Sequence, residues 1–173
     1  SLGSRGLGDV YKRQVIIGSG GREHALCYKL LKSSKINKIY CIPGNAGTDE
    51  IATNIFADIN DFDEIYKIVL KLNVELIVVG PEIPLVNGIV DYFEKKNIKI
   101  FGPNKKCSQL EGSKFFMKNI CKKYNIPSAK YFEISDINQI EKFLSSVSFP
   151  VVVKSDGLAA GKGVTICNNL DEV

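Results

Sequence analysis

Through the first hundred residues of this chain, short apolar runs end at glycine or proline and lead into helix-length amphipathic segments. Residues 15–17 run into Gly18, 38–42 into Pro43-Gly44, 75–79 into Gly80-Pro81 and 99–101 into Gly102-Pro103. Between them, 22–33, 61–72 and 84–96 carry apolar side chains at helical spacing, as with Ile65, Ile68, Val69 and Leu72. Pro84 at the start of its helix costs little, since the missing N–H has no helical partner there. Strands that alternate with helices join as right-handed βαβ units, so this block predicts an open, parallel, doubly wound α/β sheet that closes near Pro103. After Pro103 the pattern changes. Residues 113–124 and 136–144 read as helices, and 130–133, 149–154 and 164–167 as strands. Residues 155–163 form a glycine-rich loop between the last two, as in a hairpin whose tip covers a ligand.

Composition narrows the function classes. Of 173 residues, 45% are hydrophobic and 24% charged, and there is ample Ile, Val, Leu and Phe to bury a core, so disorder is not expected. No apolar run approaches the length of a membrane span. The net charge is +4, of which residues 1–14 supply +2 (Arg5, Lys12 and Arg13 against Asp9), and the other lysines are scattered. An extended nucleic-acid surface is therefore not expected. Five cysteines, at 27, 41, 107, 121 and 167, lack any CxxC pairing, and a single histidine leaves no zinc set. They read as reduced thiols of a cytoplasmic protein. Residues 1–14 are rich in glycine and hold two of the three arginines, whereas the rest is biased to Lys, Ile and Asn. That break predicts a head foreign to the remainder.

Three segments carry chemistry. The first is the strand-to-helix junction Gly18-Ser19-Gly20-Gly21-Arg22-Glu23-His24. Glycines there let backbone N–H groups approach an anion at a helix N-terminus, or simply allow a tight turn. A dinucleotide fingerprint needs glycine at position 23 and an acidic residue about 20 positions on; this chain has Glu23, and the second strand lacks a carboxylate. A phosphate or phospho-sugar is favoured over NAD. Arg22 can fork onto phosphate, while His24 by itself suits a structural hydrogen bond. The second comprises the loops after later strands, with Asn45, Gly47, Thr48 and Glu82, at the sheet end where open α/β folds bind ligands; Glu82 could equally be a solvated carboxylate or a helix cap. The third is Lys154 with the loop Gly157-Leu-Ala-Ala-Gly161-Lys162-Gly163. Only three residues separate Gly157 from Gly161 and no Ser or Thr follows Lys162, so it is not a P-loop. Lys154 closes an apolar strand, so its ammonium should emerge from a dry wall toward a nucleotide phosphate. Lys114 stands at a helix start, opposing the helix dipole, a cost that an anionic ligand or plain solvation could offset.

The stretches VIIGSGGREHAL, PGNAGT, VVGPEIPLVNGIVD, FGP, QLEGSKFFMK and FPVVVKSDGLAAGKGV occur in this order from Val15 onward. Together they closely resemble the phosphoribosylamine–glycine ligase (glycinamide ribonucleotide synthetase) family of ATP-grasp enzymes. The resemblance implies a pre-ATP-grasp substrate-binding domain over 15–103 and the start of an ATP-grasp domain over 104–173, a fragment of a longer enzyme. It implies ATP-dependent ligation of glycine to 5-phosphoribosylamine through a glycyl phosphate, with Mg²⁺ or Mn²⁺, in purine synthesis. By resemblance, Gly18, Gly20, Gly21 and Arg22 hold the substrate phosphate, and Asn45, Gly47, Thr48 and Glu82 line its cleft. Lys114, Lys154, Gly157, Gly161, Lys162 and Gly163 meet ATP. Metal ligands are expected beyond Val173, and the 173 residues alone are expected to be inactive. The alternatives are a nucleotide- or phospho-sugar-binding module without ligase activity and a structural fragment without activity.

Overall fold

The computed structural model describes residues 13–144, 147–159 and 162–173. They divide into two compact units, one ending at Ser108 and the other running from Gln109 to Val173.

The first unit is a five-stranded parallel sheet, built from β1 (Arg13–Gly18), β2 (Lys38–Pro43), β3 (Thr53–Asn54), β4 (Leu76–Val79) and β5 (Ile100–Phe101) in the order β3-β2-β1-β4-β5. The order reverses at β1, as the alternating pattern predicts. Helices α1 (Gly21–Leu30), α2 (Ala46–Asp49), α3 (Phe62–Lys71), α4 (Glu82–Asn87) and α5 (Ile89–Glu94) lie between the strands. Because side chains alternate across a strand, β1 feeds two cores. Val15 and Ile17 join Ile65, Val69, Ile89 and Phe93 on one face, and Ile16 joins Cys27, Ile39 and Cys41 on the other. In that second core the Sγ atoms of Cys27 and Cys41 are 3.1 Å apart, and burial pushes both thiols up from their ordinary pKa.

Several elements differ from the sequence expectation, each for a physical reason. Strand β1 begins at Arg13, so two residues of the supposed foreign head take part in the ladder; main-chain pairing is indifferent to their polar side chains. Residues 1–12 lie outside the described residues. The helix expected over 84–96 starts at Glu82 and breaks into α4 and α5 at Gly88, which has φ +97°. Apolar periodicity continues across such a break, but only a residue tolerant of the left-handed region can make it. Part of the expected loop after β2 is the one-turn helix α2, capped by Asn45.

The boundary between the units falls within α6 (Lys105–Gly112); α7 (Lys114–Lys123) follows it in the second unit, capped by Ser113, whose hydroxyl accepts from Phe116 N. Helix α8 (Asn138–Leu144) and the antiparallel hairpin of β6 (Val151–Lys154) and β7 (Val164–Cys167) come next, and a 3-10 turn at Leu170–Glu172 ends the chain. Residues 130–133 are not a strand. A strand exists only as part of a ladder, and among the described residues this segment has no such partner. Side chains fix it instead: Tyr131 OH donates to Asn119 Oδ1 at 3.2 Å, and the Phe132 ring packs on Phe143.

Candidate functional site

At the carboxyl ends of β1, β2 and β4, three turns converge and are tied by side chains. From α1, Arg22 Nη1 donates to Gly80 O at 2.9 Å and Nη2 to Glu82 Oε1 at 3.0 Å. Glu82 is therefore the first residue of α4 rather than a loop residue. Its own backbone N–H, and then the Arg22 guanidinium, hold its carboxyl below the usual carboxylate range. From the turn after β2, Asn45 Nδ2 donates to Ser19 O at 2.8 Å and, more weakly, to Gly20 O at 3.3 Å. The His24 ring lies against Gly47, where a Cβ would come within 2.6 Å of Cε1. The structure thus gathers Gly18, Gly20, Gly21, Arg22, Asn45, Gly47, Thr48 and Glu82 at one end of one sheet, where open parallel sheets bind ligands.

The glycines of this junction have an internal client. The Glu23 carboxylate, 4% exposed, accepts the Gly20 N–H at 2.6 Å. A Cβ on Gly18 would lie 2.7 Å from Glu23 Cδ, and one on Gly80 only 2.0 Å from Oε1. Those glycines make room for a side chain of the chain itself. A Cβ at Gly21, by contrast, would meet nothing within 4 Å. The arrangement is half a capping box. Glu23, three residues after the N-cap, reaches back to the cap's N–H, but Gly20 has no side chain to accept a first-turn N–H in return. The positive end of α1 is left open beside Gly21.

Thr48 is fully buried and is not positioned as a ligand contact. Its Oγ1 accepts from Asn45 N at 2.7 Å and lies 2.9 Å from Asn45 O and 2.7 Å from Asn54 Oδ1, with one hydrogen to donate between them. Asn54 Nδ2 closes the knot on Asn45 O at 2.8 Å. Asn54 also fills the space beside Gly44, where a Cβ would sit 2.1 Å from Oδ1. Sequence reasoning missed Asn54, since nothing local marks an asparagine as the partner of a turn nine residues earlier.

The second unit has its own cluster. Asp156, in the glycine-rich loop, accepts from Ser113 Oγ at 3.0 Å and Lys114 N at 2.7 Å, at the start of α7. Desolvation pushes its carboxyl up, but hydrogen bonds from Gly157 N–H, Ser113, Lys114 and Phe115 outweigh it and leave the group below its ordinary value. Asp156 is thus the anion that offsets Lys114 at a helix start, a role the sequence left to a ligand or to solvent. Lys114 Nζ in turn donates to Gly157 O at 2.7 Å. Gly163 holds the far side of the loop: its carbonyl accepts from Ser155 N at 3.0 Å, and a Cβ on it would lie 2.1 Å from Ser155 Oγ. Lys162 N–H donates to Ala159 O at 2.8 Å, and Gly161 lies outside the described residues. Lys154 ends β6 as expected, but no dry wall surrounds it. Val152 is 53% and Ile166 63% exposed, because among the described residues no layer covers the hairpin.

This architecture is a parallel sheet with loops gathered at its carboxyl edge, followed by helices and a glycine-rich hairpin. Crystal structures share it at low identity: N5-carboxyaminoimidazole ribonucleotide synthetase from Thermotoga maritima superposes with a TM-score of 0.67 at 22% identity, over 92% of this chain and 42% of that one. Residues 12–111 match the phosphoribosylglycinamide synthetase N domain, and 112–173 the ATP-grasp (A) domain of the same synthetase. The chain belongs to the phosphoribosylglycinamide synthetase family. It is 44% identical to a phosphoribosylamine–glycine ligase of Caldanaerobacter subterraneus over 158 residues, 91% of this chain and 38% of that protein. It is 45% identical over 160 residues to the bifunctional purine biosynthetic protein purD of Dictyostelium discoideum, covering 91% of this chain and 20% of that one. The crystal structure of phosphoribosylamine–glycine ligase from Thermotoga maritima superposes with a TM-score of 0.69 at 34% identity, over 91% of this chain and 36% of that one. The chain thus spans well under half the length of these relatives.

Proposed function

We propose that the chain supplies the substrate-phosphate and ATP-phosphate contacts of an enzyme that ligates glycine to 5-phosphoribosylamine in purine biosynthesis. Residues 15–103 form its substrate-binding domain, and 104–173 the start of its ATP-grasp domain. The observation that carries the reading is the half-capped helix: an open α1 N-terminus beside Gly21, flanked by Arg22 and by a turn pinned through Asn45, in a chain of this family. In the reaction, the glycine carboxylate takes the γ-phosphoryl group of ATP, releasing ADP, and the amine of phosphoribosylamine displaces phosphate from the acyl phosphate. Such chemistry needs positioning and charge neutralisation more than a side-chain nucleophile.

The α1 N-terminus and Arg22 orient the sugar phosphate. Glu82 keeps the Arg22 guanidinium at the mouth of the turn. Lys114, Lys154 and Lys162 neutralise the ATP phosphates, and the loop 155–163 shields them from water. Mg²⁺ or Mn²⁺ belongs to the family's reaction. Among the described residues, however, no group of three or more His, Cys, Asp or Glu is gathered to hold a metal. Among them, too, no helix is long and apolar enough to cross a membrane. A cytoplasmic enzyme of small-molecule substrates is the reading that fits.

Titration with ATP tests the assignment. Lys154→Ala should weaken ATP binding by about ten- to a hundredfold, the scale of one charge-assisted hydrogen bond, with an unchanged far-UV spectrum and unchanged ribose 5-phosphate binding. Equal ATP affinity in a folded variant refutes it.

A further inference from the structure

We infer that Glu23 is a specificity-determining residue, one that restricts the β1–α1 turn to a single phosphate and excludes a diphosphate. The inference rests on the substrate-phosphate reading above and adds to it the residue that sets how many phosphates the turn accepts. In a dinucleotide site, the sequence G-x-G-x-x-G lets a pyrophosphate lie across the turn on unoccupied backbone N–H groups. Here Gly18 and Gly20 keep the first two positions, and the third is Glu23.

Three consequences follow from its geometry. The Gly20 N–H, which would otherwise face the ligand, is taken by Glu23 Oε2 at 2.6 Å. The side chain fills the space over Gly18, the last residue of β1, and Gly80, the residue after β4, so tightly that a Cβ there would come within 2.7 and 2.0 Å of it, respectively. Its negative charge, nearly buried, faces any second phosphate led inward along the turn. What remains for an anion is the outer part, at Gly21 and Arg22, where the space in front of Gly21 is open. One phosphate fits there at the positive helix end; a second would have to displace or approach a carboxylate.

The test follows the Gly20, Gly21 and Arg22 amide resonances of the ¹⁵N-labelled chain during titration with ribose 5-phosphate and with ADP-ribose. A residue-resolved readout separates this turn from nucleotide binding elsewhere. In the unaltered chain, ribose 5-phosphate should shift Gly21 and Arg22 while ADP-ribose binds the turn no more tightly. Glu23→Gln keeps the shape and the acceptor for Gly20 N–H but removes the charge. It should tighten ADP-ribose relative to ribose 5-phosphate by about tenfold, the lower range for one like charge at close approach. Glu23→Gly restores the three-glycine pattern and should raise the ratio further, with Gly20 joining the shifted amides. If Glu23→Gly unfolds the chain, Glu23→Gln alone decides. A preference for ADP-ribose in the unaltered chain, or a ratio that Glu23→Gln leaves unchanged, overturns the role of Glu23 while the phosphate site stands. Absence of any shift at Gly21 and Arg22 with ribose 5-phosphate overturns the phosphate reading itself, and this inference with it.

Discussion

Replacing Thr48 by valine exchanges one hydroxyl for a methyl of nearly equal volume, at a site with no solvent exposure. No cavity opens, but the methyl stands where polar atoms now approach to 2.7–2.9 Å, so they must give way by a few tenths of an ångström as their hydrogen bonds are lost. Two groups lose their partner: the Asn45 N–H, now served at 2.7 Å, and Asn54 Oδ1, also at 2.7 Å. Each buried group left unsatisfied costs about 1–3 kcal/mol, and Asn45 and Asn54 are themselves only partly buried, which argues for the lower half, so the two together should lose about 2–4 kcal/mol. Thr48→Ser keeps the hydroxyl and sheds one methyl, at about 1 kcal/mol. With a urea slope of about 1.5 kcal/mol per molar, the first unit should unfold about 1.3–2.7 M earlier in Thr48→Val and about 0.7 M earlier in Thr48→Ser. Unfolding is best followed by amide exchange of β1 and β2, since a two-unit chain need not unfold in one step. Ribose 5-phosphate should still bind the folded valine variant. A valine variant as stable as the serine one would refute the knot as the thing that holds this turn. Loss of sugar-phosphate binding in a folded valine variant would return Thr48 to the ligand contacts.

Glycines 21 and 80 should respond oppositely to alanine. At Gly80 the new Cβ meets Glu23 Oε1 at 2.0 Å and should destabilise by about 1–3 kcal/mol in thermal melts, whereas at Gly21 it meets nothing, and better helix propensity should leave stability equal or higher. Asp156 and Glu82 both have lowered pKa values. For an acid depressed in the folded state, the stabilisation is complete above its ordinary value, 3.8 for Asp156 and 4.5 for Glu82, and is lost as pH falls through the lower folded value. Protection of the Lys114 and Phe115 amides should fall below about pH 4, and Asp156→Asn should abolish that acid dependence at a cost under about 1 kcal/mol for so exposed a group. Acid sensitivity that persists in Asp156→Asn would point to another carboxylate.

Four of the five strands were legible because each is largely apolar and ends at glycine or proline, a pattern that belongs to the local sequence. What escaped depends on distant partners. Strand β3 is two residues long and is defined only by lying beside β2. The break at Gly88 preserves the apolar period, so periodicity alone cannot show it. Residues 130–133 look like a strand, and local propensity cannot supply a neighbour. At the site, Arg22 and the glycine junction stood out, but a glycine in a sequence does not say what it makes room for. Gly18 and Gly80 accommodate Glu23, Gly44 accommodates Asn54 and Gly47 accommodates His24. Asp156 reaches Lys114 across 42 positions of chain, and its role was open to a ligand or to solvent until that contact was known.

The central place of β1 sets a timetable for synthesis. Its partner on one side, β2, is complete by Pro43, but its other edge pairs Gln14 with Leu76, 62 residues later (76 − 14). At about 5–20 residues per second, a ribosome delivers that partner roughly 3–12 s after β1. For that interval the apolar run Val15-Ile16-Ile17 of the central strand presents an open ladder edge on the nascent chain. Hydrogen bonds that later belong to β4 are then available to any extended segment nearby. The strand that organises the finished sheet is thus the one most in need of protection while the sheet is being made.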